Sequence, residues 1–140
     1  MADRKWEHFP HSADIGIRGR GDTVSEAFQN AALAMTAVIA DPAVITAKEP
    51  VDIHCEAPDL ELLLVDWLNA LVFEMATRGM LFSRFDVSIE AGRLSGQAFG
   101  EAVDRARHHP VVEIKGATMT ALRVAEDTDG TYVAECVVDV

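Results

Sequence analysis

Two aspartates near opposite ends of the chain carry its clearest chemical signal. Asp14 lies in His11-Ser12-Ala13-Asp14-Ile15-Gly16-Ile17, and Asp139 lies in the closing run Tyr132-Val133-Ala134-Glu135-Cys136-Val137-Val138-Asp139-Val140. The first alternates like a strand with one buried face, and the second is an apolar strand-like run. Chain ends are commonly polar and frayed, so an apolar end predicts a strand docked into a sheet. Docking would hold Asp139 beside the α-carboxylate of Val140. If the first and last strands pair, carboxylates from both ends converge. Hard divalent cations take several oxygen ligands, carboxylates foremost. Two aspartates and a terminal carboxylate would therefore suit calcium, magnesium or manganese alike. Spacing alone favours plainer roles, a turn cap for Asp14 and a solvated chain-end charge for Asp139. A general acid/base pair is a further option, but no nucleophile stands beside it.

Other reactive residue types are less suggestive. His8 and His11 are three apart with Pro10 between them, and His108-His109 are adjacent, so neither pair has a strong metal spacing. Surface or hydrogen-bonding roles are expected of them. Glu113 and Lys115 bracket Ile114 on a strand-like stretch, either as a solvent-facing charge pair or with the lysine held near the carboxylates. Gly16, Gly19 and Gly21 match neither phosphate-binding loop pattern, and no serine or cysteine nucleophile motif is present. Cys55 and Cys136 lack CxxC spacing and read as reduced, buried thiols.

Composition narrows the partners. Acidic residues outnumber basic ones 23 to 12, for a formal net charge of -11, which disfavours direct nucleic-acid binding. A basic protein partner or a divalent cation fits better. The longest apolar stretch, residues 60–76, is broken by Glu61, Asp66, Asn69 and Glu74 and argues against a membrane span. The opening Met1-Ala2-Asp3-Arg4-Lys5-Trp6-Glu7 has no apolar core of a secretion signal. A cytoplasmic protein is expected.

The elements that must position these residues can be read from periodicity. A strand is expected over residues 14–19. Thr23 and Glu26 have capping-box spacing for a helix to about residue 40. Residues 51–56 alternate as a second strand. A helix over 59–78 follows, apolar nearly all round and ended by Gly79. Such a helix is either the spine of the core or leaves room for self-association. Strands are expected over 80–90 and 94–98, irregular chain at 99–101 and 104–109, and one long strand over 111–125 bent near Gly116. A turn at Asp127-Thr128-Asp129-Gly130 leads into the last strand. The pattern predicts an α+β fold, a single domain over residues 1–140 with two helices packed on one face of a mostly antiparallel sheet in two layers.

Taken together, several segments resemble the archease family. The opening His11-Ser12-Ala13-Asp14-Ile15-Gly16-Ile17 and Ala27-Phe28-Gln29-Asn30-Ala31-Ala32 are similar to its first motif and helix. Leu62-Leu63-Leu64-Val65-Asp66-Trp67-Leu68-Asn69 resembles its second helix, and Phe99-Gly100-Glu101 a Trp-Gly-Glu segment. Glu113-Ile114-Lys115-Gly116-Ala117-Thr118 resembles a Glu-Val-Lys-Ala-Thr strand, and Val138-Asp139-Val140 a terminal Asp-Ile. The resemblance implies an accessory protein rather than an enzyme. Its partner would be an RtcB-type RNA ligase, which guanylylates its own histidine with GTP and manganese before joining RNA ends. The accessory protein would promote that activation and multiple turnover, in tRNA splicing or RNA repair. The family's metal site falls on Asp14, Asp139 and Val140, and its functional lysine on Lys115; Glu113 and His11 lie in the same motifs and are assigned to partner activation. Ser12, Phe99 and Val140 depart from the family's Thr, Trp and Ile. Two other functions compete: a small metal-dependent phosphohydrolase, and a general chaperone or interaction module for RNA-modification enzymes.

Overall fold

A computed structural model describes residues 5–140; residues 1–4, most of the polar opening, lie outside the described residues. The chain forms a strand before the expected first one. β1 (Trp6–His11) turns through Ser12 and Ala13 into β2 (Asp14–Gly21), with His11 paired to Asp14. Pro10 hides β1 from a strand reading, because proline cannot donate to a ladder. It is tolerated here because β1 is the edge of its sheet. α1 (Val24–Ile39) follows, with the Thr23 hydroxyl accepting the Glu26 N–H at 3.1 Å as the capping spacing predicts. After a single 3-10 turn over Pro42–Val44 come β3 (Glu49–Glu56) and α2 (Leu60–Arg78). Asp59 caps α2 by accepting the Leu62 N–H at 2.8 Å, and Gly79 ends it at φ 64. The left-handed region is costly for a residue with a Cβ, so glycine belongs there. β4 (Met80–Glu90), β5 (Arg93–Ala102), a one-turn α3 (Arg105–His108), β6 (Gly116–Ala117), β7 (Arg123–Glu126) and β8 (Tyr132–Asp139) complete the chain.

The α+β class holds, and the strands pair antiparallel. They divide between two sheets, however. One runs β1-β2-β8-β6 with β7 also on β8, and the other runs β3-β5-β4. Local alternation marks strands but is silent on which partner each will choose.

Two local expectations are corrected. Phe99, Gly100 and Glu101 are not irregular but continue β5, where Phe99 pairs Pro50 and Gly100 pairs Glu49. The stretch 111–125 is not one strand. Only Gly116–Ala117 and Arg123–Glu126 pair with β8. Pro110 begins this stretch, and Ala121 adopts φ 54 inside it. Of its apolar residues Ile114 is buried, whereas Val111 is 75 % exposed. Alternation was present without a continuous partner to satisfy it.

The helices lie across both sheets. Gly19 lets α1 approach β2: a Cβ there would stand 2.1 Å from the Ala31 amide nitrogen. On the other side Thr36 donates to the Phe82 carbonyl of β4 at 3.0 Å, and Gln29 accepts the Val87 N–H at 3.0 Å. Trp67 of α2 is fully buried and donates its indole N–H to the Phe28 carbonyl at 3.1 Å, joining the helices. Burial of α2 holds as far as Leu71; beyond it Phe73 is 62 % exposed. Among the described residues no helix is long and apolar enough to cross a membrane. Both cysteines are free; Cys136 is buried, which pushes its thiol up to about 12, and Cys55 is half-buried.

Candidate functional site

The pleat decides which side chains share a face. Ile17, Gly19 and Ile15 pair with Cys136, Ala134 and Val138 and face the helices. The alternate residues of β2 and β8 therefore point to the opposite, outer face. Ile15 pairs Val138, so the register carried one step further brings Asp14 beside Asp139. Directly opposed residues in an antiparallel ladder have Cβ atoms about 4.5–5.5 Å apart. The carboxylates of the two chain ends thus share one face, as the sequence required for convergence. His11 pairs Asp14 from β1 and lies on that face as well.

The outer face is otherwise charge-balanced. Arg18 pairs Glu7 at 3.2 Å and Glu135 at 3.1 Å, with its guanidinium 4.6 Å over the Phe9 ring. Arg20 pairs Glu7 and Asp127, each at 3.1 Å, and Arg123 pairs Asp127 at 3.0 Å and Glu135 at 3.3 Å. Asp14 and Asp139 break this pattern. Neither has an ion pair or a side-chain hydrogen bond among the described residues. Like charges directly opposed across a ladder repel, and no basic side chain among the described residues offsets these two. Carboxylate oxygens are the ligands that hard divalent ions take. No three His, Cys, Asp or Glu side chains gather among the described residues as a metal-holding set. The carboxylates at this end are the two aspartates, with the main-chain oxygens of Val140 next in the chain.

Lys115 is tied to the same place through its backbone: its N–H donates to the Asp139 carbonyl at 2.8 Å. Its side chain is exposed and has no ion pair among the described residues. Glu113 is exposed too, but the expected charge pair between the two does not form, because residues 111–115 are not in a strand. Glu113 instead lines a 450 Å³ apolar cleft with Val72, Met75, Val103, Val111 and Ile114. His8 takes a hydrogen-bonding role, 2.7 Å from the Ala34 carbonyl. A hollow of 960 Å³ lies over the other sheet among His54, Glu56, Ser88, Glu90 and Arg93, away from the aspartates.

Sequence reasoning missed one buried polar array. Glu101, at the end of β5, is 4 % exposed, and its Oε2 accepts the Thr46 N–H at 2.8 Å. The same oxygen pairs Arg107 at 2.8 Å and accepts from His108 Nε2 at 2.9 Å. The His108 Nδ1 accepts the Asp104 N–H at 2.9 Å, so the ring's donor nitrogen is Nε2. Arg107 foremost, then the Thr46 N–H and His108, hold the Glu101 carboxyl far below its usual 4.5 against the opposing effect of burial. A carboxylate followed six and seven residues later by Arg107 and His108 was the available signal.

The sign of that shift sets a pH dependence. A carboxyl depressed by folding adds stability that is complete above its unfolded value and fades as pH falls toward the folded one. Glu101→Gln is therefore expected to lose the same stability at pH 7 and pH 5.5, and visibly less at pH 3. Urea unfolding at the three pH values checks this; an equal loss at pH 3 would contradict it.

Comparison with known proteins identifies the family and the fold. The model of the Archease protein family matches residues 6–140. Protein archease of Pyrococcus furiosus is 41 % identical over 141 residues, covering 98 % of this chain and 99 % of that protein. Protein archease of Methanopyrus kandleri is 38 % identical over 138 residues, with 96 % and 98 % covered. The solution structure of Methanobacterium thermoautotrophicum protein 1598 superposes with a TM-score of 0.85 at 32 % identity, covering 99 % of this chain and 100 % of that one. The crystal structure of an archease, possible chaperone, from Thermotoga maritima shares the fold at a TM-score of 0.61 and 18 % identity, with 94 % of each chain covered. With the family's pattern matched from β1 to the last residue and its fold reproduced, the chain belongs to the archease family.

Proposed function

We propose that this chain is an accessory factor of an RtcB-type RNA ligase, promoting its guanylylation and turnover through the sheet end that carries Asp14 and Asp139. The observation that carries the reading is the contrast on the outer face: its other acidic side chains are matched by arginine, while these two aspartates are left side by side. Asp14, Asp139 and the main-chain oxygens of Val140 would hold a divalent cation. Bound there, a cation supplies positive charge to phosphate oxygens. Asp14 is fixed by its ladder with His11, and Asp139 by its pairing with Gly116. Lys115 brings a basic side chain beside that end, on a backbone pinned to Asp139. The net charge of -11 speaks for a role on the protein rather than on the RNA.

The test is ligase self-guanylylation with GTP and manganese, with and without substoichiometric amounts of this protein. Faster guanylylation and more than one ligation per ligase are expected. No change in either, or nucleotide hydrolysis by the protein alone, would reject the reading. A general chaperone role has one observation in its favour, the description of the Thermotoga maritima archease as a possible chaperone. That role predicts suppression of client aggregation that does not depend on Asp14 or Asp139.

A further inference from the structure

We infer that buried Glu101 and His108, together with the partly exposed Arg107, form a latch that fixes the strap of residues 109–115, and through it the position of Lys115 beside Asp139. Glu101 and His108 are then positioning residues for the proposed site, and this part of the inference rests on the functional reading above.

The strap has no regular structure of its own. Residues 109–115 belong to no helix or strand, yet they carry Lys115 to the end of β8. Six extended steps span about 20 Å, so the strap keeps its course only where fixtures hold it. Three pins hold its length: the Val111 N–H donates to the Ile39 carbonyl at 2.9 Å, Ile114 is 4 % exposed in the core, and the Lys115 N–H donates to the Asp139 carbonyl at 2.8 Å. Val111 itself is 75 % exposed, so its side chain adds little packing. The remaining fixture is at the start, in α3.

A single turn of helix cannot hold itself, and α3 has only four residues. What holds it is a carboxylate from outside. Glu101 stands on β5, paired to β4 at Leu81, and receives Arg107 and His108 from α3. The Thr46 N–H reaches the same oxygen from the loop after the 3-10 turn, and Arg107 donates onward to the Val44 carbonyl at 2.9 Å. A buried carboxylate stripped of donors is costly, so these groups stay together or separate together. His108 is used at both ring nitrogens, one toward Asp104 and one toward Glu101. The ring thereby closes the turn of α3 and ties it to the sheet. The residue after it, His109, takes φ 49 and aims the chain into the strap.

The measurement is residue-resolved amide exchange by NMR on the whole protein, for wild type, Glu101→Gln and Arg107→Ala. Arg107 is 46 % exposed at its side chain, so its variant keeps the test alive if Glu101→Gln fails to fold. The Val111 and Lys115 amides are expected to exchange about tenfold faster or more, with the β8 and α2 amides unchanged. Faster exchange confined to Asp104–His108, with Val111 and Lys115 as protected as in wild type, would overturn the latch. Ligase stimulation by the same variants, beside Lys115→Ala, separates the two readings. Loss in all of them supports Lys115 as the group the latch positions. Full stimulation by Lys115→Ala would remove Lys115 from the ligase reading, while the exchange result still decides the latch.

Discussion

Asp14→Ala and Asp139→Ala are each expected to weaken divalent-cation binding and ligase stimulation by at least about 10- to 100-fold, the loss typical of removing even an outer-shell partner of a metal ligand. The two carboxylates face each other across β2 and β8 on a surface whose other acids are neutralised by Arg18, Arg20 and Arg123. Either variant removes half of the side-chain donor set and also relieves the repulsion between like charges. Cation binding should therefore fall while the melting temperature holds or rises slightly. This opposition of effects is the signature of a binding site rather than a structural pair. Calorimetric titration with calcium, magnesium and manganese, read beside thermal melts, provides the check. Chain added after Val140 should act in the same direction, because it converts the terminal carboxylate to an amide. Wild-type cation binding in both aspartate variants would leave the pair as plain surface charge.

Trp67→Ala is expected to cost about 3–5 kcal/mol, the range for emptying a buried aromatic site, and so a large share of the stability of an ordinary domain. Trp67 is fully buried, packs edge-on against Phe85 with ring centroids 6.1 Å apart, and satisfies the Phe28 carbonyl of α1. Its loss opens a cavity at the junction of both helices with the second sheet and removes the hydrogen bond that joins the helices. For a chain of this length the melting temperature should drop by about 10–20 °C. Trp67→Phe, which keeps a ring but no donor, should fall between the two. A Trp67→Ala protein that melts within a few degrees of wild type would show that the site collapses around the gap.

The strap gives the cation site a dependence on a distant part of the chain. Asp139 is held from one side by β2 and from the other by β6 and the Lys115 amide. The last of these is only as firm as the segment behind it. A lesion at Glu101 is thus expected to reach Lys115 through backbone fixation rather than through charge.

Sequence alone determined what short-range chemistry can determine. The capping hydroxyl of Thr23, the left-handed glycine after α2, the apolar stripes of both helices and the hairpin into β8 are local consequences of side-chain shape and backbone freedom. The family resemblance, carried by residues at both chain ends, named Asp14, Asp139 and Lys115 as the residues to watch. Tertiary structure alone decided the rest. Strand partners are chosen by burial across the whole core, so two sheets form where alternation suggested one. The stretch 111–125 alternates yet finds only β8 to pair with at two short places, and its first part becomes a strap. Glu101 is an ordinary acidic residue until folding surrounds it with Thr46, Arg107 and His108 and removes the water. The facing of Asp14 and Asp139 is likewise a matter of register: one residue of slip between β2 and β8 would have put them on opposite faces.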